Sequence, residues 1–238
     1  MPPLLVSRRG RVALLTINRP AHGNRLTAPL AREIAAALAE LRRDADIGAC
    51  VLTGAAGVFC LGGDYAGAGP TRTERSEYAN ALIAMDEAMA ELGKPLVAAV
   101  NGDAHAGGFC TAVACDLVVA ATDATLGLPE AAKGLFPFIA LAIARDALPK
   151  SVLFELIYSA RLLSAEEACA LHIVNERVAR DAVVERAVEL ALQASRYNPE
   201  IVALGRNLYY RTRGLEPCAA LDAAREALLA ALDVKDRE

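Results

Sequence analysis

The chain has no excess of positive charge: 25 Lys and Arg stand against 29 Asp and Glu, for a formal net charge of −4. Nucleic-acid phosphates and anionic membrane surfaces both demand a basic face, so this balance argues against either partner. It leaves room for a local basic patch around a small phosphorylated ligand. Long apolar runs are missing as well. The longest, Leu135 to Ala144, is about half of the roughly 20 residues a spanning helix needs, and Pro137 interrupts it. The first residues, MPPLLVSRRG, have neither the charged start nor the long apolar centre of a signal peptide. Six cysteines (50, 60, 110, 115, 169, 218) form no C-x-x-C pair, and three histidines (22, 105, 172) are equally scattered. No metal site is expected from that distribution. Without an export signal the cysteines read as reduced and mostly buried, in a cytoplasmic protein. Tryptophan is absent altogether.

Apolar residues, in contrast, are plentiful. They make up 55% of the 238 residues, against 23% charged, above the usual share of roughly 45–50%. Such a chain is not disordered and can bury a large core. The excess is available for a subunit interface. The length suits one large domain, or one domain with a helical appendage.

Periodicity predicts a βαβ-type alternation up to about residue 125 and helices afterwards. Val12 to Ile17 (VALLTI) is a β-branched run that stops at Asn18-Arg19-Pro20. Thr27 can cap a helix with Pro29 in its first turn and Ile34, Leu38 and Leu41 on one face. Strands are expected at 49–53, 96–100 and 116–120, and helices at 72–92 and 107–114. Ser164 and Glu167 form a capping box at another helix start. Three more helical stretches follow Asp181, broken near Asn198-Pro199 and Gly214. The expected division is an α/β core over residues 1–178 and a helical piece over 179–238. A piece that short should pack on the core or on another subunit.

Three segments carry chemistry. The loop Gly54 to Pro70 holds six glycines in 17 residues. It is no Walker loop, lacking Gly-Lys-Ser/Thr, and no dinucleotide fingerprint, lacking G-x-G-x-x-G. Alone it reads as a surface loop or as a turn presenting bare N–H groups to a ligand. In KPLVAAVNGDAHAGG, Lys94 to Gly108, a buried strand leads to Gly107-Gly108 at a helix start. Unpaired N–H groups there can hold an oxyanion, and tight helix-strand packing would use the same glycines. Glu130 in Leu-Pro-Glu is flanked by Leu126, Leu128, Leu135 and Phe136. Desolvation among them would raise its pKa and suit a general base, whereas a water-facing helix-start glutamate would look the same in sequence. His105 and Cys110 lie beside the same glycines, as a base and a thiol or as packed residues. Arg206, Arg211 and Arg213 read as a solvated helix face, with a phosphate contact as the alternative.

Together these segments resemble the crotonase superfamily, the enoyl-CoA hydratase/isomerase family. The resemblance runs from VALLTINRP through GVFCLGGDY, KPLVAAVNGDAHAGG, ACDLVVA and LPEAAKGLFP to LSAEEACALHIVNERV. His172-Ile173 stands where Gly-Leu is usual in that family. The resemblance implies a spiral of ββα turns followed by a helical domain that drives trimers, often paired into hexamers. It implies a coenzyme A thioester substrate, with coenzyme A present as part of the substrate and no permanently bound cofactor. By motif position, the two N–H groups that hold the thioester oxygen belong to Gly63 and Gly107. Leu61, Gly62, Gly63, Asp64 and Tyr65 should line the coenzyme A site, and residues 18–26 should border the adenine and pantetheine. The acyl pocket is expected from residues 65–78 and 136–139.

Hydratases of the family place two glutamates across one water. The second matches Glu130, but Cys110 occupies the position of the first. One carboxylate instead of two fits family members that shift a double bond, moving a proton from C2 to C4. The expectation is therefore an enoyl-CoA isomerase with Glu130 as the proton shuttle. Enoyl-CoA hydratase is the alternative, and a non-catalytic CoA-ester binder a further one. His105 or Asp64 could serve the family's thioesterase, decarboxylase or dehalogenase chemistries.

Overall fold

A computed structural model describes residues 1–237. Two sheets organise it. The larger has six strands, in the order β1 (Leu4–Arg9), β2 (Val12–Ile17), β3 (Ala49–Gly54), β4 (Leu96–Val100), β6 (Leu117–Ala121) and β9 (Glu176–Val178). Only the β1–β2 hairpin is antiparallel; every other pairing in this sheet is parallel. β3 and β4 are buried along their whole lengths, as expected of parallel strands covered on both faces. The smaller sheet pairs β5 (Ala104–His105), β7 (Thr125–Gly127) and β8 (Leu162–Ser164).

The chain alternates between the sheets. After β4 it enters β5, then helix α3 (Gly107–Val113), and returns through β6 to β7. Each circuit adds one long strand, one short strand and a helix. This is a spiral of ββα turns, as the family resemblance implies.

Local chemistry sets the helix starts. The Thr27 side chain accepts from the Leu30 N–H and opens α1 (Ala28–Arg43), which buries Leu30, Ile34, Leu38 and Leu41. A full capping box, Thr71 with Glu74, opens α2 (Arg72–Ala90). Its buried stripe is Tyr78, Ala81, Met85 and Met89. After β7 a 3-10 turn spans Pro129–Lys133, followed by α4 (Phe138–Ala144) and α5 (Lys150–Ser159). The predicted box Ser164–Glu167 is complete and opens α6 (Ala165–Ala170). His172 just beyond it has φ of +57°, a left-handed conformation that glycine adopts freely. That accounts for the glycine usual at this position in the family pattern.

Three helices close the chain: α7 (Val183–Ala194), α8 (Pro199–Arg211) and α9 (Pro217–Lys235). They differ in burial. α7 buries Val183, Ala187, Val188 and Ala191 within the main core. α8 buries no residue fully, and α9 only Val234. By packing, then, α7 goes with the spiral, although it lies beyond the expected division at residue 178.

Arg206 corrects one expectation. It is no solvated helix residue, since only 7% of its side chain is exposed. Its guanidinium bonds Asp116 at 2.9 Å and the carbonyls of Ala90 and Met89, and stacks 4.6 Å from the Tyr210 ring centre. The carbonyls are the last of α2, so Arg206 caps that helix C-terminus and pins α8 to it. No helix of the described residues is long and apolar enough to cross a membrane.

Candidate active site

The smaller sheet assembles the site. Cys60 bridges Ala104 in parallel, and Ala104 pairs in parallel with Leu126. Three chain segments thus run side by side in one direction. Continuing three residues past the bridge reaches Gly63 on the first and Gly107 on the second; four residues past it reaches Glu130 on the third. His105 N–H donates to the Cys60 carbonyl at 3.0 Å, and Ala106 N–H to the Gly127 carbonyl at 2.8 Å. The ends of parallel segments are where ligand sites collect in α/β folds.

Gly63, Gly107 and Glu130 line one cavity of about 240 Å³. A Cβ built on Gly107 would lie 3.5 Å from the Gly63 nitrogen, so the two peptide groups sit within contact distance of one another. Among the described residues neither N–H has an acceptor. Gly107 begins α3, where the first N–H groups have no intrahelical partner. Ahead of it Ala106 has φ of +54° and ψ of −126°. That region is costly for any residue with a Cβ, and such strain gathers at functional turns.

Glu130 is 5% exposed. Its Oε2 is buried with no hydrogen-bond partner among the described residues. Burial raises its pKa, partly offset by its own backbone N–H and by the Lys133 charge. A carboxylate in such surroundings holds a proton more readily than one in water.

Cys110 also lines the cavity. Its thiol donates to the Ala140 carbonyl across 3.7 Å, and burial raises its pKa well above the ordinary thiol value, with Glu130 and Asp86 adding to the rise. It is a packed, protonated thiol rather than an activated one. Tyr65 forms the rim, edge-on to the Tyr78 ring at 5.7 Å. The remaining wall is mostly apolar, from Leu26, Leu82, Met85, Met89, Ile143 and residues 135–140, with Asp86 and Thr111 as its polar members. All of the predicted stretch 136–139 contributes, but of residues 65–78 only Tyr65 does.

Four predicted positions do not line this cavity. His105 turns toward β7, where its Nε2 meets the Thr125 hydroxyl at 2.8 Å, itself bonded to Asp103. Burial lowers its pKa. The Thr125 and Asp103 hydrogen bonds hold His105 in a polar triad outside the cavity, so His105 is not a site-lining residue. Asp64 pairs with Arg19 at 3.3 Å. Arg25 donates to the carbonyls of Leu61 at 2.6 Å and Gly63 at 3.4 Å. Leu61, Gly62 and Asp64 therefore form the wall behind Gly63, clamped to the 18–26 segment by two arginines.

Asp86 is a charged lining residue that sequence reading missed. It follows Met85 on α2 and looks like a solvent-side acid in a helical pattern.

The family model "Enoyl-CoA hydratase/isomerase" matches residues 7–236. The 2,3-dehydroadipyl-CoA hydratase of Escherichia coli K12 is 31% identical over 242 residues, covering 100% of this chain and 93% of its own. The carnitinyl-CoA dehydratase of Salmonella typhi is 31% identical over 211 residues, covering 88% of this chain and 80% of its own. The crystal structure of an enoyl-CoA hydratase from Mycobacterium smegmatis superposes with a TM-score of 0.92 at 27% identity, over 98% of this chain and 91% of that one.

Proposed function

Because the chain belongs to the enoyl-CoA hydratase/isomerase family, we propose that it shifts a carbon–carbon double bond in an acyl-CoA ester, with Glu130 carrying the proton. The thioester oxygen sits between the Gly63 and Gly107 N–H groups. Glu130 Oε2 removes a proton from C2, and the electron pair moves toward the thioester oxygen. The two fixed N–H groups stabilise that charge more than the neutral ground state, which is what lowers a barrier. The electrons return through the C2–C3 bond, and the C3–C4 double bond takes the same proton at C4. The double bond ends at C2–C3 with no atom gained or lost.

One observation supports this reading above hydration. Glu130 lines the cavity with its Oε2 buried and unpartnered, while the neighbouring Cys110 thiol is committed to the Ala140 carbonyl. A thiol is a poor hydrogen-bond partner, so the pair is ill suited to hold a nucleophilic water. A double-bond shift needs no water. Hydratase is the second reading, favoured by the names of the relatives. Product analysis with 2-enoyl-CoA and 3-enoyl-CoA esters separates the two. Isomerisation of the 3-enoyl ester should be faster than hydration of the 2-enoyl ester. Cys110→Glu, once shown to fold, should raise the hydration share. Wild-type hydration at or above the isomerase rate would overturn the single-glutamate reading.

The proposed assembly is a trimer or a dimer of trimers. Support for the assembly comes from α9, where Leu221 is 70% exposed, with Leu228, Leu229 and Leu232 exposed along the same helix. Such a row of uncovered leucines is unusual for a monomer surface. Light scattering at micromolar concentration should give a mass at least three times the 25.0 kDa of the chain. A mass near one chain would refute the assembly.

A further inference from the structure

We propose that Asp86 reads the far end of the acyl group and selects a hydrogen-bond donor there, a hydroxyl or an ammonium, over a methyl or a carboxylate. This rests on the cavity being the acyl-CoA site.

Asp86 is half-buried in the cavity wall beside Leu82, Met85 and Met89. Its carboxylate has no hydrogen bond or ion pair with any described residue. Burial raises its pKa, and the Arg213 charge opposes the rise from a distance. Arg213 itself is engaged elsewhere, pairing with Asp146 at 3.2 Å and lying over the Tyr209 and Tyr210 rings. Asp86 and Ile143 also border a second cavity of about 330 Å³, lined by Asp116, Arg206, Tyr210 and Arg213. The carboxylate therefore stands in the partition between an apolar chamber and a polar one.

Its place along α2 puts it away from the reacting carbons. The Tyr78 hydroxyl packs against Gly63, since a Cβ on that glycine would meet it at 2.3 Å. The Asp86 backbone lies eight residues beyond that of Tyr78 along the helix, roughly 12 Å at 1.5 Å per residue. Glu130 and Gly107 stand at the Gly63 end. An acyl chain that starts between the two N–H groups and follows α2 ends at Asp86.

An acyl chain filling the cavity would strip water from the half-buried Asp86 carboxylate, which is costly when no donor replaces it. A leucine or methionine would pack there without that cost. A donor on the substrate satisfies the carboxylate with a charge-assisted hydrogen bond. A terminal methyl leaves it unpaired, and a terminal carboxylate is repelled.

The test measures affinity of unreactive, saturated medium-chain acyl-CoA esters ending in methyl, hydroxyl, ammonium or carboxylate, by calorimetry. Wild-type protein, Asp86→Asn and Asp86→Leu are compared, the asparagine being isosteric and the safer folder. Wild-type protein should bind the hydroxyl or ammonium ester about 10- to 100-fold more tightly than the methyl ester, the range for one hydrogen bond to a charged group. The carboxylate ester should bind most weakly. Asp86→Leu should reverse the hydroxyl-to-methyl order, and Asp86→Asn should admit the carboxylate ester and lose any ammonium preference. Equal wild-type affinities for the methyl and donor esters, or ratios unmoved in both variants, would overturn the proposal. Failure of every CoA ester to bind would instead remove the acyl-CoA reading, and this proposal with it.

Discussion

Glu130→Gln should cut kcat by roughly 10²–10⁴, the range for a positioned acid-base group, while affinity for CoA esters stays nearly unchanged. The amide keeps the size of the side chain and can still accept from the backbone, but it cannot take a proton from C2. Loss confined to kcat is the signature of a group used in the transition state and not in ground-state binding. The pH profile checks the same residue in the wild type. Burial raises the Glu130 pKa, and the ionised form is the base. The rate should therefore fall with decreasing pH at a higher pH than an ordinary carboxylate would give, and the inflection should vanish in the glutamine variant.

Stability carries the opposite sign. An acid whose folded pKa is raised binds its proton more tightly in the folded state. Its contribution favours the fold at low pH and is lost as pH rises through the unfolded and then the folded pKa. Above its folded pKa the ionised Glu130, with Oε2 unpartnered, burdens the fold. Glu130→Gln should then melt at the same temperature as the wild type or higher, with a difference that widens as pH increases. Thermal melts across pH check it. A variant that is both inactive and less stable at neutral pH would mean that the carboxylate serves the fold instead.

Four of the six strands in the larger sheet were legible because they are long and apolar; the mostly exposed β1 and the three-residue β9 were not. VALLTI and the 96–100 run are five or six residues of apolar or β-branched side chains, and burial on both faces leaves them nearly continuous. Helix starts were legible where an oxygen side chain precedes the apolar period, as at Thr27 and Ser164. The smaller sheet was not. β5 has two residues and β7 and β8 three each, too few for any period to show. Yet that sheet converts three distant motifs into one site, and it pairs His105 with Thr125 outside that site. Residue chemistry offered Gly107 as an oxyanion donor and Glu130 as a base, each beside a plainer alternative, and motif position alone named Gly63. Asp86 had no such signal. One acid beside a buried methionine on a helix is indistinguishable from a solvated residue until the cavity is seen.

Gly107→Ala should fold normally and lose at least about 10²-fold in kcat/KM, the lower end of what removing one oxyanion donor costs. Nothing in the fold requires glycine at this position. Gly107 is absent from the positive-φ residues, and a Cβ would meet no atom closer than 3.5 Å. Replacing such a glycine by alanine typically stabilises by about 0.4–1 kcal/mol, because the unfolded chain loses freedom. That nearest atom is the Gly63 nitrogen, so the new methyl occupies space beside both N–H groups and competes with the thioester oxygen. Gly108 is the control. A Cβ there would lie 2.0 Å from the Cys60 carbonyl oxygen, a clash of backbone against side chain that no rotamer relieves. Gly108→Ala should therefore lower the melting temperature and the activity together. The adjacent pair separates two uses of glycine: Gly108 lets α3 approach the Cys60 segment, and Gly107 leaves room for a ligand. Equal activity in Gly107→Ala and wild type, measured on folded protein, would place the thioester oxygen somewhere other than between these two N–H groups.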